Sequence, residues 1–170
     1  MVRVLCILIG YCFGLIQTAF ILGKIHGIDI RSQGSGNSGT TNALRVLGKK
    51  AGAICFVMDA VKAIVPMLII YFVFRNGSYA QMEPLLRLYT GAGVVLGHNF
   101  PFYMGFKGGK GIMATGGISV GMGWLSFVMV AGTFFVTFFC THYVSLGSLC
   151  MYVAFVIALV IGGQTGMYHM

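Results

Sequence analysis

The chain has 170 residues, of which 58% are hydrophobic and only 8% are charged. Because soluble domains carry about 25% charged residues, this composition excludes a soluble globular protein and predicts an integral membrane protein. The net charge of +8 comes from eleven Lys and Arg against three Asp and Glu. In a membrane protein such an excess is typical of cytoplasmic loops, so it does not indicate a nucleic-acid partner. The five cysteines lie in apolar sequence without a CxxC pair, which favours neither a disulfide framework nor a zinc site.

Long apolar segments separated by short polar loops predict an all-α, polytopic fold in a single domain. The first segment has no signal-peptide cleavage site, so we interpret it as a span. Residues 112–140 are too many for one span, and the glycines at 121 and 123 predict a break there. The prediction is about six transmembrane helices, in residues 4–23, 51–74, 85–97, the two halves of 112–140, and 149–161.

The basic residues concentrate in the loops 24–50 and 98–111, which are separated by two predicted spans. Loops rich in Lys and Arg remain in the cytoplasm. We therefore expect both loops, and the turn at 141–148, on the cytoplasmic face of the inner (plasma) membrane. This orientation places the N-terminus outside, and Arg3 is a weak argument against it.

The first loop contains RSQGSGNSGTTNALR, residues 31–45, in which Gly34, Gly36 and Gly39 have the spacing G-x-G-x-x-G. A dinucleotide site would need a preceding strand and a βαβ unit. This loop follows a predicted transmembrane helix, so we exclude that interpretation. Glycines still allow backbone amides to converge on an anion, and hydroxyl groups add donors.

The same loop is predicted to run into a helix that carries further phosphate-binding groups. Thr40 or Thr41 is expected to N-cap this helix. Thr41, Asn42 and Arg45 are expected to share one of its faces. The alternative is a flexible, solvated linker, because Gly and Ser are common in linkers.

The second loop contains PFYMGFKGGKG, residues 101–111, with Lys107 and Lys110 among four glycines. Met104 and Gly111 stand where a P-loop has a glycine and a serine or threonine, so this is not a Walker A motif. A basic turn at the membrane surface would explain the lysines but not the glycines. Two cationic, glycine-rich loops on one face therefore indicate a shared anionic ligand.

Three further positions carry polar or ionisable groups near these loops. Asp59 and Lys62 are spaced i,i+3 within a predicted span, where they are either functional or a neutral pair that orients helices. His98 is either a helix cap or an acid–base group. Ser145, one helical turn before Ser148, is either a ligand donor or a cap of the last helix.

GSGNSGTTNALR (34–45) and GHNFPFYMGFKGGKGIMAT (97–115) resemble the first two motifs of the bacterial acyl-phosphate:glycerol-3-phosphate acyltransferases. DAVK (59–62) and THYVSLGS (141–148) are similar to segments between and after them. The resemblance implies an all-helical membrane enzyme that moves a fatty acyl group from acyl phosphate to the 1-hydroxyl of glycerol 3-phosphate. Lysophosphatidate and phosphate would be the products.

The resemblance also implies partners and residue roles. The partners are the two substrates and the lipid bilayer; no protein partner is inferable, and the family requires no cofactor or metal. Phosphate binding is predicted at Ser35, Gly36, Asn37, Gly39, Thr41, Asn42, Arg45, Lys107, Gly108, Gly109 and Lys110. The catalytic groups are predicted to be His98, Lys110 and Ser145, with the general base open between His98 and a substrate phosphate.

The chain departs from the family pattern at several places. Residues 15–17 read LIQ where the family often has SIP, and Thr40 stands where alanine is common. The family's third motif, a His/Asn/Arg stretch after a seventh helix, does not follow the last apolar segment. We therefore expect a C-terminally truncated acyltransferase domain over residues 1–170. The alternatives are an anion or phosphate transporter and an inactive lipid-binding relative.

Overall fold

The computed structural model describes residues 1–168, and in that part of the chain the regular elements are helices without strands. Three short 3₁₀ turns, at Ile30–Ser32, Ala80–Met82 and Phe102–Met104, lie in the connections. The all-α prediction is confirmed. The α-helices are α1 (Val2–Gly14), α2 (Thr18–Ile25), α3 (Thr40–Leu47), α4 (Lys49–Phe74), α5 (Glu83–Asn99), α6 (Ile112–Met122), α7 (Trp124–Thr141) and α8 (Val144–Gln164).

Within residues 1–168, four helical segments are long and apolar enough to cross a bilayer. They are Val2–Ile25, which joins α1 and α2, Lys49–Phe74, Trp124–Thr141 and Val144–Gln164. α5 and α6, with 17 and 11 residues, are shorter than the roughly 20 residues of a usual span. The predicted break in residues 112–140 is confirmed, because Gly123 separates α6 from α7 with a φ of +126°. Glycine adopts such a backbone without the steric cost of a side chain.

The first predicted span, residues 4–23, is divided into two helices, and this division was not predicted. α1 ends at Gly14 and α2 begins at Thr18. Between them Gln17 is fully buried, and its Nε2 donates to the backbone oxygen of His98 at 2.8 Å. A buried amide needs such partners. Gln17 therefore stabilises the break by binding to the end of α5.

Glycines bring α1 and α5 into close contact. Gly10 and Gly14 of α1 face Gly93 and Gly97 of α5. A Cβ atom at any of the four would overlap a backbone carbonyl oxygen of the opposite helix. Small residues four apart are a general device for close packing of transmembrane helices. This packing fixes the position of α5, which carries His98 near its end.

The polar turn predicted for residues 141–148 is shorter in the structure. α7 ends at Thr141 and α8 begins at Val144, so only His142 and Tyr143 connect them. His142 has a φ of +59°, in the left-handed region that ends helices. Ser145 consequently lies in the first turn of α8, where it is exposed.

A small apolar cluster holds the first loop against the helices. Ala19 of α2, Ile30 of the loop, Ala43 of α3 and Cys55 of α4 pack together and are almost completely buried. Because each comes from a different segment, their burial ties the loop to three helices. The first loop is therefore part of the folded core and not a free linker.

Candidate active site

Asn42 orders the first loop from inside. Its Nδ2 donates to the backbone oxygens of Ile30 and Gln33, both at 3.1 Å, and its Oδ1 accepts from the amide of Ser35 at 2.9 Å. The side chain is 1% exposed. Buried hydrogen bonds of this kind hold a loop in one conformation. Asn42 was predicted to bind phosphate, but its side-chain oxygen and nitrogen form hydrogen bonds with backbone groups of the loop instead.

The predicted helix after this loop exists, but its start and its faces differ from the prediction. Gly39 precedes the first helical residue without a side-chain cap, so the expected N-cap at Thr40 or Thr41 was wrong. The helix ends at Leu47, and Gly48, with a φ of +88°, separates it from α4. Asn42 is buried whereas Thr41 and Arg45 are exposed, so the three do not share a face.

Arg31 connects the two loops, a contact that sequence reasoning missed. Its Nη1 donates to the backbone oxygen of Met104 at 3.1 Å, and its other guanidinium nitrogens bind Asp29, with Nη2 2.7 Å from Oδ2. Hydrogen bonds from Arg31 lower the pKa of Asp29 to about 2. The sequence signal that could have indicated this contact was Asp29, the single acidic residue among the basic residues of the first loop.

The second loop packs directly onto the end of α5. The amides of Gly108 and Gly109 donate to the backbone oxygens of Asn99 and His98 at 2.9 and 3.0 Å. A Cβ atom at Gly108 would overlap the His98 carbonyl, and one at Gly109 would overlap the His98 imidazole. These glycines are needed for close approach, and their amides are used by the fold instead of remaining free for an anion.

A cavity of about 550 Å³ lies between the two loops and the helices α4, α6, α7 and α8. Its volume falls within the roughly 300–1,000 Å³ of small-molecule sites. The first loop and the start of α3 line it with polar groups, and so do the end of α5 and the second loop. These residues are Asn37, Gly39, Thr40, Thr41, His98 and Lys110.

Apart from Asp59 and Ser119, the remainder of the cavity is apolar and follows α6 and α7 away from the loops. The lining residues of α6 extend from Ile112 to Val120, which at about 1.5 Å per residue is roughly 12 Å along the helix. α7 contributes an apolar stripe of Phe127, Val130, Ala131, Phe134, Phe135 and Phe138. One cavity thus has a polar mouth and a long apolar interior.

The structure brings five of the predicted site residues to the cavity wall: Asn37, Gly39, Thr41, His98 and Lys110. The others lie outside the lining, namely Ser35, Gly36, Asn42, Arg45, Lys107, Gly108, Gly109 and Ser145. Sequence reasoning missed Thr40 and the aromatic stripe of α7. The phenylalanines looked like lipid-facing residues of a span, and only their i,i+4 spacing at 134 and 138 indicated a common face.

Asp59, Lys62 and His98 form a buried cluster at the wall of the cavity. Lys62 Nζ lies 2.7 Å from His98 Nδ1 and donates to the backbone oxygen of Ile16, also at 2.7 Å. It lies 2.8 Å from Asp59 Oδ1 in an ion pair whose geometry is not that of a directed hydrogen bond. The three side chains are at most 4% exposed. The buried charge of Lys62 is tolerated because it is paired with the carboxylate of Asp59.

This arrangement suits an amphipathic ligand. Lys110 and the hydroxyl and amide groups of the first loop provide cationic and polar contacts for an anionic head group. The apolar interior provides a dry channel for a hydrocarbon chain. Among residues 1–168, no group of three or more His, Cys, Asp or Glu side chains is arranged to hold a metal ion.

The sequence matches the family model described as "Glycerol-3-phosphate acyltransferase" over residues 4–170. A glycerol-3-phosphate acyltransferase of Pelodictyon phaeoclathratiforme is 40% identical over 167 residues, covering 95% of this chain and 71% of its own length. One from Chlorobium phaeobacteroides is 41% identical over 158 residues, covering 90% of this chain and 67% of its own length.

Solved structures with a similar fold are also known. A crystal structure of PlsY (YgiH), an integral membrane glycerol 3-phosphate acyltransferase, in its glycerol 3-phosphate form, is 32% identical with a TM-score of 0.83. The match covers 95% of this chain and 78% of that one. Its lysophosphatidic acid form has a TM-score of 0.78, with coverages of 94% and 77%.

Proposed function

The chain belongs to the glycerol-3-phosphate acyltransferase family, and on that premise we propose that its acyl donor is an acyl phosphate. It is an integral membrane enzyme of phospholipid biosynthesis that transfers a fatty acyl group to glycerol 3-phosphate, giving lysophosphatidate. Family membership favours this function over the alternative of a phosphate transporter.

The observation that supports an acyl phosphate most directly is the shape of the cavity. Its polar mouth carries Lys110, Asn37 and Thr41, and its interior is lined by the phenylalanines of α7. An acyl phosphate has a phosphate at one end and a hydrocarbon chain at the other. Such a molecule would place its phosphate at the mouth and its chain along α6 and α7.

In the proposed reaction, the 1-hydroxyl oxygen of glycerol 3-phosphate attacks the acyl carbonyl carbon. An ester carbon–oxygen bond forms, the carbon–oxygen bond to phosphate breaks, and phosphate leaves with the bonding electron pair. The hydroxyl proton ends on the released phosphate. Because an acyl phosphate is a mixed anhydride with a good leaving group, the reaction requires no protein nucleophile. Positioning and stabilisation of charge are then the main contributions of the protein.

We assign direct contacts with substrate to the predicted residues that line the cavity. Lys110 donates a charge-assisted hydrogen bond to a phosphate oxygen, and Asn37 and Thr41 add neutral hydrogen bonds from the first loop. His98 lines the same cavity from the end of α5. The backbone of Gly39 completes this side of the mouth.

The predicted residues outside the lining have other roles in this proposal. Arg45 and Lys107 are exposed and attract anionic substrates through their positive potential. Asn42, with the backbone of Ser35 and Gly36, maintains the shape of the first loop, and Gly108 and Gly109 maintain that of the second. Ser145 lies beside Val144, which lines the cavity, and offers a hydroxyl to the entering glycerol phosphate.

For the membrane arrangement we propose about six spans in one domain, with both loops on the cytoplasmic face of the inner membrane and the N-terminus outside. Both loops border one cavity and so lie on one side, and that side is rich in Lys and Arg. A protease site inserted at Gly77, between α4 and α5, is expected to be cut from outside in spheroplasts. Cutting only in inverted vesicles would contradict this orientation.

The activity is tested on detergent-solubilised protein with acyl phosphate and radiolabelled glycerol 3-phosphate. Labelled lysophosphatidate and inorganic phosphate are expected in equal amounts, and acyl-CoA of the same chain length is expected to give no product. Product from acyl-CoA but none from acyl phosphate would overturn the proposed donor. Uptake of phosphate into proteoliposomes without product would favour the transporter instead.

A further inference from the structure

The partner of His98 Nδ1 is a cation. The nearest polar group is Lys62 Nζ at 2.7 Å, whereas Asp59 Oδ1 is 3.9 Å away, beyond hydrogen-bond distance. Lys62 is held in place by two further contacts, the backbone oxygen of Ile16 and the carboxylate of Asp59. Since an ammonium group only donates hydrogen bonds, Nδ1 must accept.

This arrangement is the reverse of the one that prepares a histidine to act as a base. In catalytic triads a carboxylate accepts a hydrogen bond from Nδ1–H, which leaves Nε2 unprotonated and able to take a proton. With the Lys62 ammonium as its donor, Nδ1 uses its lone pair as an acceptor, and a neutral ring then has its proton on Nε2. A second proton on the ring would be on Nδ1. The Nδ1–H group and the Lys62 ammonium group, both donors, would then face each other at 2.7 Å in a buried site.

We propose that Lys62 is a positioning residue that keeps His98 neutral with its proton on Nε2, so that His98 donates a hydrogen bond to substrate. This inference rests on the proposed acyl transfer. It removes His98 as the general base and makes it a donor to a carbonyl or phosphate oxygen that gains negative charge during the reaction.

The position of Nε2 supports this role. The Nε2 edge of the ring lies against Gly109, where an added Cβ would overlap it, and His98 lines the cavity. Lys110, the residue after Gly109, lines the same cavity. An oxygen at this place would receive one hydrogen bond from Nε2–H and one from the lysine. Donors fixed before substrate arrives stabilise developing charge without reorganisation.

The tautomer is measured directly by nitrogen NMR on the full chain labelled with ¹⁵N-histidine in lipid bilayers. The His98 signals are assigned by their disappearance in His98→Gln. A protonated Nε2 with an unprotonated Nδ1 is expected near neutral pH. A protonated Nδ1, or a doubly protonated ring, would overturn the proposal whatever the activity of the protein.

Two substitutions of His98 separate a donor from a base. The amide nitrogen of Gln reaches about the position of Nε2 and donates a hydrogen bond, but it cannot accept a proton. Loss of one preorganised donor costs about 10²–10³-fold in rate, so His98→Ala is expected to lose that much. His98→Gln is expected to retain at least about tenfold more activity than His98→Ala. Equal losses in both variants would indicate a base and contradict the proposal.

The role of Lys62 is tested by removing the ion pair as a unit. Lys62→Met alone leaves Asp59 buried without its partner, whereas Asp59→Leu with Lys62→Met keeps the charge balance and the volume. In the double variant, both His98 tautomers are expected to appear in the NMR spectrum, and kcat is expected to fall more than KM changes. Lys49→Met, an exposed lysine on the same helix, is the matched control and should change neither.

The outcomes also separate this inference from the proposed function. A wild-type chain that makes no lysophosphatidate contradicts the function, while the NMR spectrum still decides the Lys62–His98 arrangement. An active wild type whose His98 remains a single Nε2–H tautomer in the double variant contradicts the role of Lys62 alone. If the double variant does not fold, the comparison of His98→Gln with His98→Ala decides.

Discussion

The first and second loops have similar compositions, but their glycines stand in different surroundings. In the first loop Gly34 and Gly36 have φ angles of +59° and +72°, a backbone that disfavours other residues. In the second loop Gly108 and Gly109 have ordinary φ angles but lie against His98 with no space for a Cβ. Gly34 and Gly36 thus provide conformation in the first loop, as Gly105 and Gly111 do in the second with φ angles of +66° and +72°. The close contact with His98 belongs to Gly108 and Gly109.

The same contrast applies to the support of the two loops. A side chain, Asn42, organises the first loop from within its own segment. The second loop is supported by the end of α5, a separate helix, through the His98 and Asn99 carbonyls. A change at Gly108 or Gly109 therefore reaches the cavity residue His98 directly, whereas a change at Asn42 reaches the cavity through the shape of the first loop. Four tests follow, in order of decreasing expected effect.

The largest effect is expected for Gly109→Ala. Its Cβ would displace the His98 ring, and misplacement of a reacting group by about 1 Å costs about 100-fold in rate. Gly36→Ala is expected to cost much less rate, because Gly36 lies outside the cavity lining. Its φ of +72° and a Cβ 3.2 Å from the Arg31 carbonyl make a lower Tm the main expected effect of that substitution. Initial rates and Tm are measured for both variants. Gly132→Ala, in open space on α7, is the control, and similar rates for all three variants would refute the contrast.

A second test compares two lysines of the same loop. Lys110 lines the cavity and Lys107 does not. Loss of a hydrogen bond from a charged group costs about 1.5–3 kcal/mol, so Lys110→Ala should lower kcat/KM roughly 10–100-fold. Lys107→Ala should lower it less than about fivefold, and high salt should reduce that effect. Equal losses would place both lysines in direct contact with substrate.

The third test removes the internal support of the first loop. Asn42→Ala abolishes three hydrogen bonds of a buried side chain, each worth about 1 kcal/mol. We expect a lower Tm together with a rate loss of about tenfold. Asn76→Ala, in the exposed turn after α4, is the control for both measurements. A normal Tm with a large rate loss would instead indicate that Asn42 contacts substrate.

The smallest effect is expected for the Arg31–Asp29 contact between the loops. Arg31 lowers the pKa of Asp29 from 3.8 to about 2, so the carboxylate stabilises the fold fully above its ordinary pKa. This contribution is lost as the pH falls through about 2. The difference in Tm between wild type and Asp29→Asn should be constant between about pH 5 and 8 and decrease below about 4. A difference that grows on acidification would contradict the assignment.

Features with a local chemical signal were predictable from the sequence. The helical class follows from the apolar runs, and the break at Gly123 follows from clustered glycines. Asn37, Gly39, Thr41, His98 and Lys110 were selected as chemically suitable residues in glycine-rich loops, and the structure places them at one cavity. In each case residue type and spacing carry the information without knowledge of distant neighbours.

Features that depend on distant partners were not predictable. The break after α1 has neither Gly nor Pro at residues 15–17. Gln17 maintains it by binding the carbonyl groups of Gly97 and His98, which are 80 and 81 positions away along the chain. The buried face of α3 was assigned wrongly because Asn42 turns inward to bind Ile30 and Gln33. The phenylalanines of α7 line the cavity because α6 lies beside them. The sequence alone does not show whether an apolar side chain of a span faces lipid or a cavity.

The break between α1 and α2 has a consequence for how the membrane interior accommodates the site. An interrupted helix exposes carbonyl oxygens, which are costly in hydrocarbon unless they find donors. Here the Leu15 oxygen accepts from Tyr103 Oη at 2.6 Å and the Ile16 oxygen accepts from Lys62 Nζ at 2.7 Å. The break in the helix therefore binds both the second loop, through Tyr103, and the buried ammonium group of Lys62. A continuous first helix would use these carbonyl groups in its own hydrogen bonds and release both attachments at once, so the point where this helix stops fixes how the second loop and Lys62 are held together.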